Sequence, residues 1–126
     1  MLRRFCLLIA AAMMTGCAAL PPAVPAHDLT NIVGKWEGFV LDARRQPFYP
    51  STLTIRPEGT FENHVPSLGS QERFVGTVGV IDEQFRWKNA TDGRTGVFTL
   101  HEGGGKRVLI SDGGGTVGSA QWEPAK

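Results

Sequence analysis

Three histidines are the side chains in this sequence with the clearest capacity for acid–base or metal chemistry. They are His27, His64 and His101, and the carboxylates of Glu62 and Glu102 stand close to the last two in sequence. A zinc or proton-transfer centre requires several such groups within reach of one another. The spacings do not follow HExxH or CxxC, and no serine stands in a Gly-x-Ser-x-Gly setting. We therefore expect surface histidines, no metal, no cofactor and no catalysis, with an enzyme that uses His64 or His101 as one alternative.

Two glycine-rich segments invite comparison with phosphate-binding loops. Residues 112–118 read DGGGTVG, a formal G-x-G-x-x-G match, and residues 103–106 read GGGK. A dinucleotide-binding loop needs a following helix whose N-terminus meets the pyrophosphate. The residues after the first segment alternate like a strand, and the second lacks the spacing and the Ser or Thr of a P-loop. Both segments are predicted to be hairpin loops.

The first seventeen residues form a motif of another kind. Two arginines near the start are followed by an apolar run over residues 5–14 and by a small Thr-Gly pair directly before Cys17. This order is typical of a secretion signal, and the run is shorter than the roughly twenty residues of a membrane span. Residues 1–16 are predicted to be a cleaved signal peptide.

Residues 14–17, Met-Thr-Gly-Cys, resemble the bacterial lipobox, in which Leu is preferred where this chain has Met. The resemblance implies that Cys17 is lipidated on sulfur and becomes the new N-terminus. Burial of acyl chains gains about 0.8 kcal/mol per methylene, and stable attachment takes more than one chain. The expected location is the bacterial cell envelope. Ala18 after the cysteine resembles outer-membrane lipoproteins, so the domain is expected to face the periplasm.

Removal of the signal changes the charge and the cysteine count. The thirteen basic residues lose two arginines, which leaves eleven against twelve acidic residues. No large basic field remains, and nucleic acid is therefore not expected as a partner. Cys6 leaves with the signal and Cys17 carries lipid, so no disulfide is expected in the folded part.

A proline-rich segment follows the cysteine. Residues 18–27 read AALPPAVPAH, which predicts a semi-rigid spacer of roughly 30 Å at about 3.1 Å per residue. Asp28 is a candidate N-cap for one helical turn. The predicted organisation is a lipidated cysteine and spacer over residues 17–31 and a single small domain over residues 32–124.

From residue 34 onward, apolar residues alternate with polar ones and turn residues recur about every ten positions, which indicates an antiparallel all-β fold. The predicted strands span residues 34–41, 51–56, 60–65, 71–81, 84–88, 94–101, 106–111 and 116–122. Glycines recur on the inward faces, where they permit bending, and closure removes exposed edges. We expect a small eight-stranded antiparallel up-and-down barrel whose interior is nearly filled by its own side chains.

The sequence GKWEG at residues 34–38 resembles the Gly-x-Trp opening of lipocalin-like barrels. The resemblance implies that Trp36 plugs one end of the barrel. Only this opening and the number of strands carry the resemblance. The second lipocalin motif, Thr-Asp-Tyr, is absent, and the domain is shorter than a full lipocalin. Small bacterial lipoproteins with lipocalin-like barrels, of unassigned function, are similar in length. The chain also resembles periplasmic metalloprotease inhibitors, compact barrels whose N-terminal segment enters a protease cleft.

The aromatic residues of the predicted strands either line an apolar pocket or form the core. Residues 42–50, DARRQPFYP, pair Arg44 and Arg45 with Phe48 and Tyr49 between two prolines. Exposed aromatics beside arginine are typical of interface anchors. We predict a non-catalytic, membrane-anchored binding module for an envelope protein or a small apolar ligand, with this loop as the candidate contact. The alternative is a periplasmic protease inhibitor.

Overall fold

The computed structural model describes residues 20–71, 73–112 and 119–126 of the chain. The described part contains two 3₁₀ helices, Leu29–Asn31 and Pro66–Gln71, and no α-helix. Its strands are β1 (Ala23–Val24), β2 (Gly34–Leu41), β3 (Pro47–Ile55), β4 (Thr60–His64), β5 (Arg73–Ile81), β6 (Gln84–Asn89), β7 (Thr95–Gly103), β8 (Lys106–Ser111) and β9 (Ala120–Pro124).

Strands β2 to β9 form a closed antiparallel barrel. From β3 onward each strand pairs with the strand before it, and β9 pairs back onto β2 with Trp122 opposite Gly38. The predicted eight-stranded up-and-down barrel is therefore confirmed, with β1 as one additional strand. The tight hairpin turns 56–59, 82–83 and 104–105 lie together at what we call the tight-turn end. Strands β2, β4, β6 and β8 end at the opposite end, which we call the loop end.

The boundaries of β2 and β8 agree with the prediction, whereas β3 begins four residues early. Pro47 and Pro50 led us to expect a loop there. These prolines are tolerated because β3 pairs with β2 over residues 47–50 but with β4 only from Thr52 onward, so they lie on a free edge. Residues 116–118 of the last predicted strand lie outside the described residues.

Three inward-facing glycines allow the barrel to close tightly. A Cβ at Gly38 would overlap the backbone of β9, and one at Gly96 would overlap the indole of Trp87. A Cβ at Gly76 would overlap the carbonyl oxygen of Lys88 and lie 2.7 Å from Cε1 of Phe61. The barrel therefore brings backbone and aromatic rings to distances that exclude any side chain at these positions.

The tight-turn end is closed by the segment that precedes β2. Ile32 is fully buried there, and its carbonyl accepts a hydrogen bond of 2.9 Å from Nε1 of the buried Trp36. The guanidinium of Arg107 lies 5.4 Å from the centre of the Trp36 ring and donates to the carbonyl of Asn31. Trp36 thus fills this end of the core and is covered by a charged side chain.

Asp28 caps the first 3₁₀ helix, as predicted. Its carboxylate accepts a hydrogen bond of 3.0 Å from the backbone N–H of Thr30. That bond, assisted by the Thr30 side chain, lowers the pKa of the Asp28 carboxyl. The cap fixes the direction in which the chain enters β2.

The proline-rich segment, for which the sequence predicts a semi-rigid spacer, is paired with the barrel over part of its length. Its residues 21–26, which we call the docked segment, lie against the barrel. Ala23 and Val24 form β1 and pair with His101 and Leu100 of β7. Ala26 is 2% exposed, and its N–H donates to the carbonyl of Glu83 at 2.9 Å.

Unequal strand lengths explain why this segment docks. The ladder between β6 and β7 runs from Lys88–Thr95 to Phe85–Phe98, but β7 continues to Gly103. The last residues of β7 would present unpaired backbone groups, which favours the addition of another strand. Proline lacks an N–H and can still accept, and the carbonyl of Pro22 accepts from Glu102 N–H at 3.1 Å.

Two tight turns place different residue types in the positive-φ conformation. The β3–β4 turn places Gly59 at φ +88°, as the predicted glycine bulge requires. The β5–β6 turn instead places Asp82 and Glu83 at φ +52° and +60°, a conformation that non-glycine residues adopt at a cost of about 1 kcal/mol or more each. The second turn is therefore strained.

Relief of this strain should stabilise the barrel. We expect Asp82→Asn combined with Glu83→Gly to raise the free energy of unfolding by about 1 kcal/mol, because Asn-Gly is the preferred pair in such turns. Urea denaturation of the purified domain measures the change. An equal gain from Glu58→Gly, at a position without positive φ, would contradict a local cause.

Glycines on the two faces of β5 provide a matched test of close packing. Gly76→Ala should cost about 3 kcal/mol or more, because the new methyl meets backbone and the Phe61 ring. Gly79→Ala should cost less than about 0.5 kcal/mol, because open space surrounds that position. Chemical denaturation of both variants measures the difference, and equal costs would show that the barrel relaxes at Gly76.

Candidate interaction surface at the loop end

The interior of the barrel is occupied by its own aromatic side chains. The rings of Phe61, Phe98 and Trp122 meet edge to face, with centroid distances of 5.7 Å for Phe61–Phe98 and 6.0 Å for Phe98–Trp122. Trp87 lies 6.1 Å from Phe98, and all four side chains are buried. These aromatics form the core, which is the second of the two interpretations that the sequence allowed.

A buried polar chain crosses the core. Trp122 donates from Nε1 to the hydroxyl of Ser51 at 2.9 Å, and that hydroxyl donates to Oδ1 of Asn63. All three residues are buried. Because unpaired polar groups are costly inside a protein, the chain ties β9, β3 and β4 into one register. These hydrogen bonds fix the position of Ser51 on β3, the strand that continues toward the loop end.

The Nε1 of Trp87 is the buried side-chain atom without a hydrogen-bond partner among the described residues. Its indole lies directly against Gly96, where a Cβ would overlap the ring. The close approach of β7 leaves no side chain on that side to accept the proton. Burying an N–H without an acceptor costs free energy, and here that cost follows from packing a large ring into a narrow barrel.

Four grooves lined by described residues open on the outside of the barrel. The largest, about 720 Å³, follows the outer face of β5, β6 and β7 beside Arg86 and Lys88. Two smaller grooves, of about 240 and 350 Å³, lie on either side of Phe39. The fourth, about 240 Å³, borders the docked segment. Ligand-sized concavities are thus available on the surface of this part of the molecule.

The histidines are not brought together. His27 is exposed, His64 ends β4 at the loop end, and His101 lies on β7 near the tight-turn end. Nδ1 of His101 is 2.9 Å from the carbonyl oxygen of Pro21. Within residues 20–71, 73–112 and 119–126, no group of three or more potential metal ligands occurs.

The other predicted motifs are placed as follows. Gly104 and Gly105, at φ +59° and +79°, form the β7–β8 turn, so that glycine-rich segment is a hairpin turn as predicted. Residues 113–118 of the other segment lie outside the described residues, as does Cys17. In the part of the chain that the structure describes, no helix has the length and apolar character of a membrane span.

The loop after β2 is organised by Asp42. One oxygen of its carboxylate accepts from the backbone N–H groups of Arg44 and Gln46, each at 2.9 Å. The backbone of Asp42 also bonds to Gln46 and Arg45. Arg45 adopts φ +61°, which the compact loop enforces. The loop is short and closed rather than extended.

Arg44 and Arg45 both project from this loop and are exposed. Among the described residues, neither forms an ion pair with a carboxylate, whereas four other arginines do. Arg45 also lines one of the grooves beside Phe39. Two positive charges are therefore presented together at the loop end.

Phe48 and Tyr49 lie on β3 and not in the loop where we expected them. Phe48 is 58% exposed, and its ring meets that of Tyr49 edge to face at 4.3 Å. Tyr49 is half-buried opposite Val40, on the face that carries the buried Ser51. Of the two predicted anchors, Phe48 is the more exposed.

Phe39 belongs to the same surface and was not among the predicted site residues. It is 45% exposed and pairs with Pro50 on β3. Its position could have been found from the sequence, because Trp36, Gly38 and Val40 point inward and place residue 39 outward. Together with Pro50 and Phe48, it gives this side of β2 and β3 an exposed apolar area.

We call Phe39, Arg44, Arg45, Phe48 and Pro50 the loop-end patch. The patch combines exposed apolar area with unpaired guanidinium groups, a composition that is enriched in protein interfaces. It holds no nucleophile and no acid–base pair. No protein-family model, curated protein or solved structure matches this chain, so the geometry is the basis for a functional interpretation.

The polar chain beneath this patch can be tested by one substitution. Ser51→Ala should lower the free energy of unfolding by about 2–4 kcal/mol, because it leaves Trp122 Nε1 and Asn63 Oδ1 buried without that partner. Thr52→Ala, the next residue on the other face, should cost less than about 1 kcal/mol. Urea denaturation compares the free energies of unfolding of the two variants. A loss for Ser51→Ala as small as that for Thr52→Ala would mean that a nearby water replaces the hydroxyl.

Proposed function

We propose that this protein is an envelope lipoprotein, anchored through Cys17, whose barrel binds another protein through the loop-end patch without catalysis. The lipobox at residues 14–17 supports the anchor. Inside the barrel, a small apolar ligand, the other partner class considered, would compete for space with the packed rings of Phe61, Trp87 and Phe98, which leaves it the outer grooves. The proposal therefore favours an envelope protein as the partner.

The observation that carries the proposal is the contrast between a packed interior and an exposed aromatic surface. Phe61, Trp87 and Phe98 fill the barrel with mutual ring contacts, while Phe39 and Phe48 remain about half exposed. Burying an exposed aromatic against a partner gains about 2 kcal/mol. A partner that covers Phe39 and Phe48 together would gain about 4 kcal/mol from the two rings, and the contacts around them would have to supply the rest of the binding free energy.

The charges around the patch indicate the chemistry of that partner. Arg45 borders the groove beside Phe39 at the loop end, and Glu37 and Glu123 border the same groove further along. A matching surface has apolar residues for Phe39, a carboxylate for the arginines and a basic residue beyond. Charge complementarity of this kind selects a partner and its orientation.

The alternative, inhibition of a periplasmic protease by the N-terminal segment, draws less support from the geometry. A protease cleft would have to receive an extended chain, yet residues 22–26 are hydrogen-bonded to β7 and Glu83. Inhibition would therefore require those bonds to break first. It stays a prediction that addition of the purified domain to metalloproteases can test.

Site-specific photocrosslinking in cells tests the proposed surface. A photoreactive phenylalanine at position 48 should give one discrete crosslinked product, because that ring lies in the contact. The same group at position 75, an exposed valine on the outer face of β5, should not give this product. Charge reversal by Arg44→Glu with Arg45→Glu should reduce the product about tenfold, the effect of losing roughly 1.4 kcal/mol of binding.

Two results would contradict the proposal. One is an identical product from positions 48 and 75, which would indicate random collision. The other is native mass spectrometry of the detergent-extracted protein that finds a small molecule retained by the barrel and released by Phe98→Ala. Equal denaturation midpoints for the parent protein and the charge-reversed variant are the control for folding.

A further inference from the structure

The docked segment determines where an anchor at Cys17 would attach to the barrel. Pro21 is the first docked residue, and its carbonyl lies beside His101 while Pro22 bonds to Glu102. These partners stand at the end of β7, next to the 104–105 turn. The chain therefore leaves the barrel at the tight-turn end.

The chain between the anchor and the barrel is short. Three residues, Ala18, Ala19 and Leu20, separate Cys17 from Pro21. Four extended residues reach at most about 14 Å, since each adds no more than about 3.6 Å. The polar headgroup layer of one leaflet is itself about 5–7 Å thick. Pro21 would therefore lie at the headgroups or directly above them.

We infer that the tight-turn end of the barrel rests on the headgroup surface of a phospholipid bilayer and that the loop-end patch faces away from it. The inference rests on the proposed lipidation of Cys17. It deepens the proposed function, because it specifies from which side a partner can reach Phe39 and Phe48.

The side chains at the tight-turn end suit such a surface. Leu20 is 41% exposed at the point where the chain leaves, and Ile81 is 53% exposed beside the 82–83 turn. Two exposed aliphatic side chains at the anchored end gain free energy from partial burial in the interface. The charges nearby are mixed, with Arg86 at 3.7 Å from Asp82 and Arg107 at 2.6 Å from Glu102, so no field of one sign opposes contact.

The two ends are separated by the length of the strands. The nine residues of β5 and of β7 span roughly 30 Å at about 3.3 Å per residue, and about 23 Å along the axis of a barrel whose strands tilt by about 40°. This exceeds the reach of the connecting chain. An anchored barrel thus has one end near the lipid and the other well into the periplasmic space.

Fluorescence quenching in vesicles tests this orientation. The folded part contains no cysteine of its own, so Lys106→Cys and Thr91→Cys each introduce one labelling site on an exposed turn or strand end. The lipidated full-length protein is reconstituted in phosphatidylethanolamine–phosphatidylglycerol vesicles that carry a nitroxide headgroup. We expect the label at position 106 to be quenched at least about threefold more than the label at position 91, because one strand length separates them.

A second variant removes the geometric constraint without touching the barrel. Insertion of ten Gly and Ser residues between Leu20 and Pro21 adds about 17 Å of flexible reach, and the ratio of quenching at position 106 to quenching at position 91 should then fall toward one. Docking and the patch are unchanged in this variant. A difference that persists after the insertion would show that the end binds lipid by itself and that the short connection is not the cause.

The outcomes separate this inference from the function on which it rests. The intact mass of the mature protein, compared with Cys17→Ser, reports lipidation directly. An unlipidated mature chain overturns both the anchor and the orientation. A lipidated chain whose two labels are quenched equally overturns the orientation alone, and crosslinking at position 48 remains an independent test of the partner surface.

Discussion

The narrowness of a barrel closed by eight short strands constrains the rest of this structure. Its interior is wide enough for side chains and little else. Where Trp87 crosses the core, β7 must carry Gly96, and where Phe61 does so, β5 must carry Gly76. The same crowding leaves Trp87 Nε1 without a partner among the described residues. Among the described residues, aromatic side chains occupy the interior, and the grooves described above open on the outer surface.

The second constraint is the mismatch between β6 and β7. A six-residue strand beside a nine-residue strand leaves backbone groups unpaired, and the docked segment pairs with them. Ala26 joins the same segment to the carbonyl of Glu83 in the strained 82–83 turn. The sheet therefore controls where the N-terminal chain leaves the barrel. If Cys17 carries the proposed lipid anchor, this strand pairing also constrains how the barrel is attached to the membrane.

Periodicity in the sequence was enough to predict the barrel, because inward and outward positions alternate in a closed sheet and turns recur between strands. It was not enough for the docked segment, since prolines suggest a free spacer when their ability to accept hydrogen bonds at an edge is overlooked. Pro47 and Pro50 concealed the start of β3 for the same reason. The hydrogen bond from Trp122 to Ser51 joins residues 71 positions apart, and periodicity along the sequence cannot predict which distant residues will pair. The outward position of Phe39, in contrast, could have been predicted from the alternation of inward and outward residues along β2.

The predicted binding loop proved to be partly strand, and this difference bears on how the patch would work. Phe39 and Pro50 are fixed opposite each other by the β2–β3 register, and Phe48 follows on the same strand. The polar chain through Ser51 holds that strand against β4 and β9. Side chains on a rigid sheet lose less entropy on binding than side chains on a mobile loop. In the proposed function, the packed core therefore contributes indirectly, because its rigidity keeps the exposed aromatic anchors Phe39 and Phe48 in place on the outer surface.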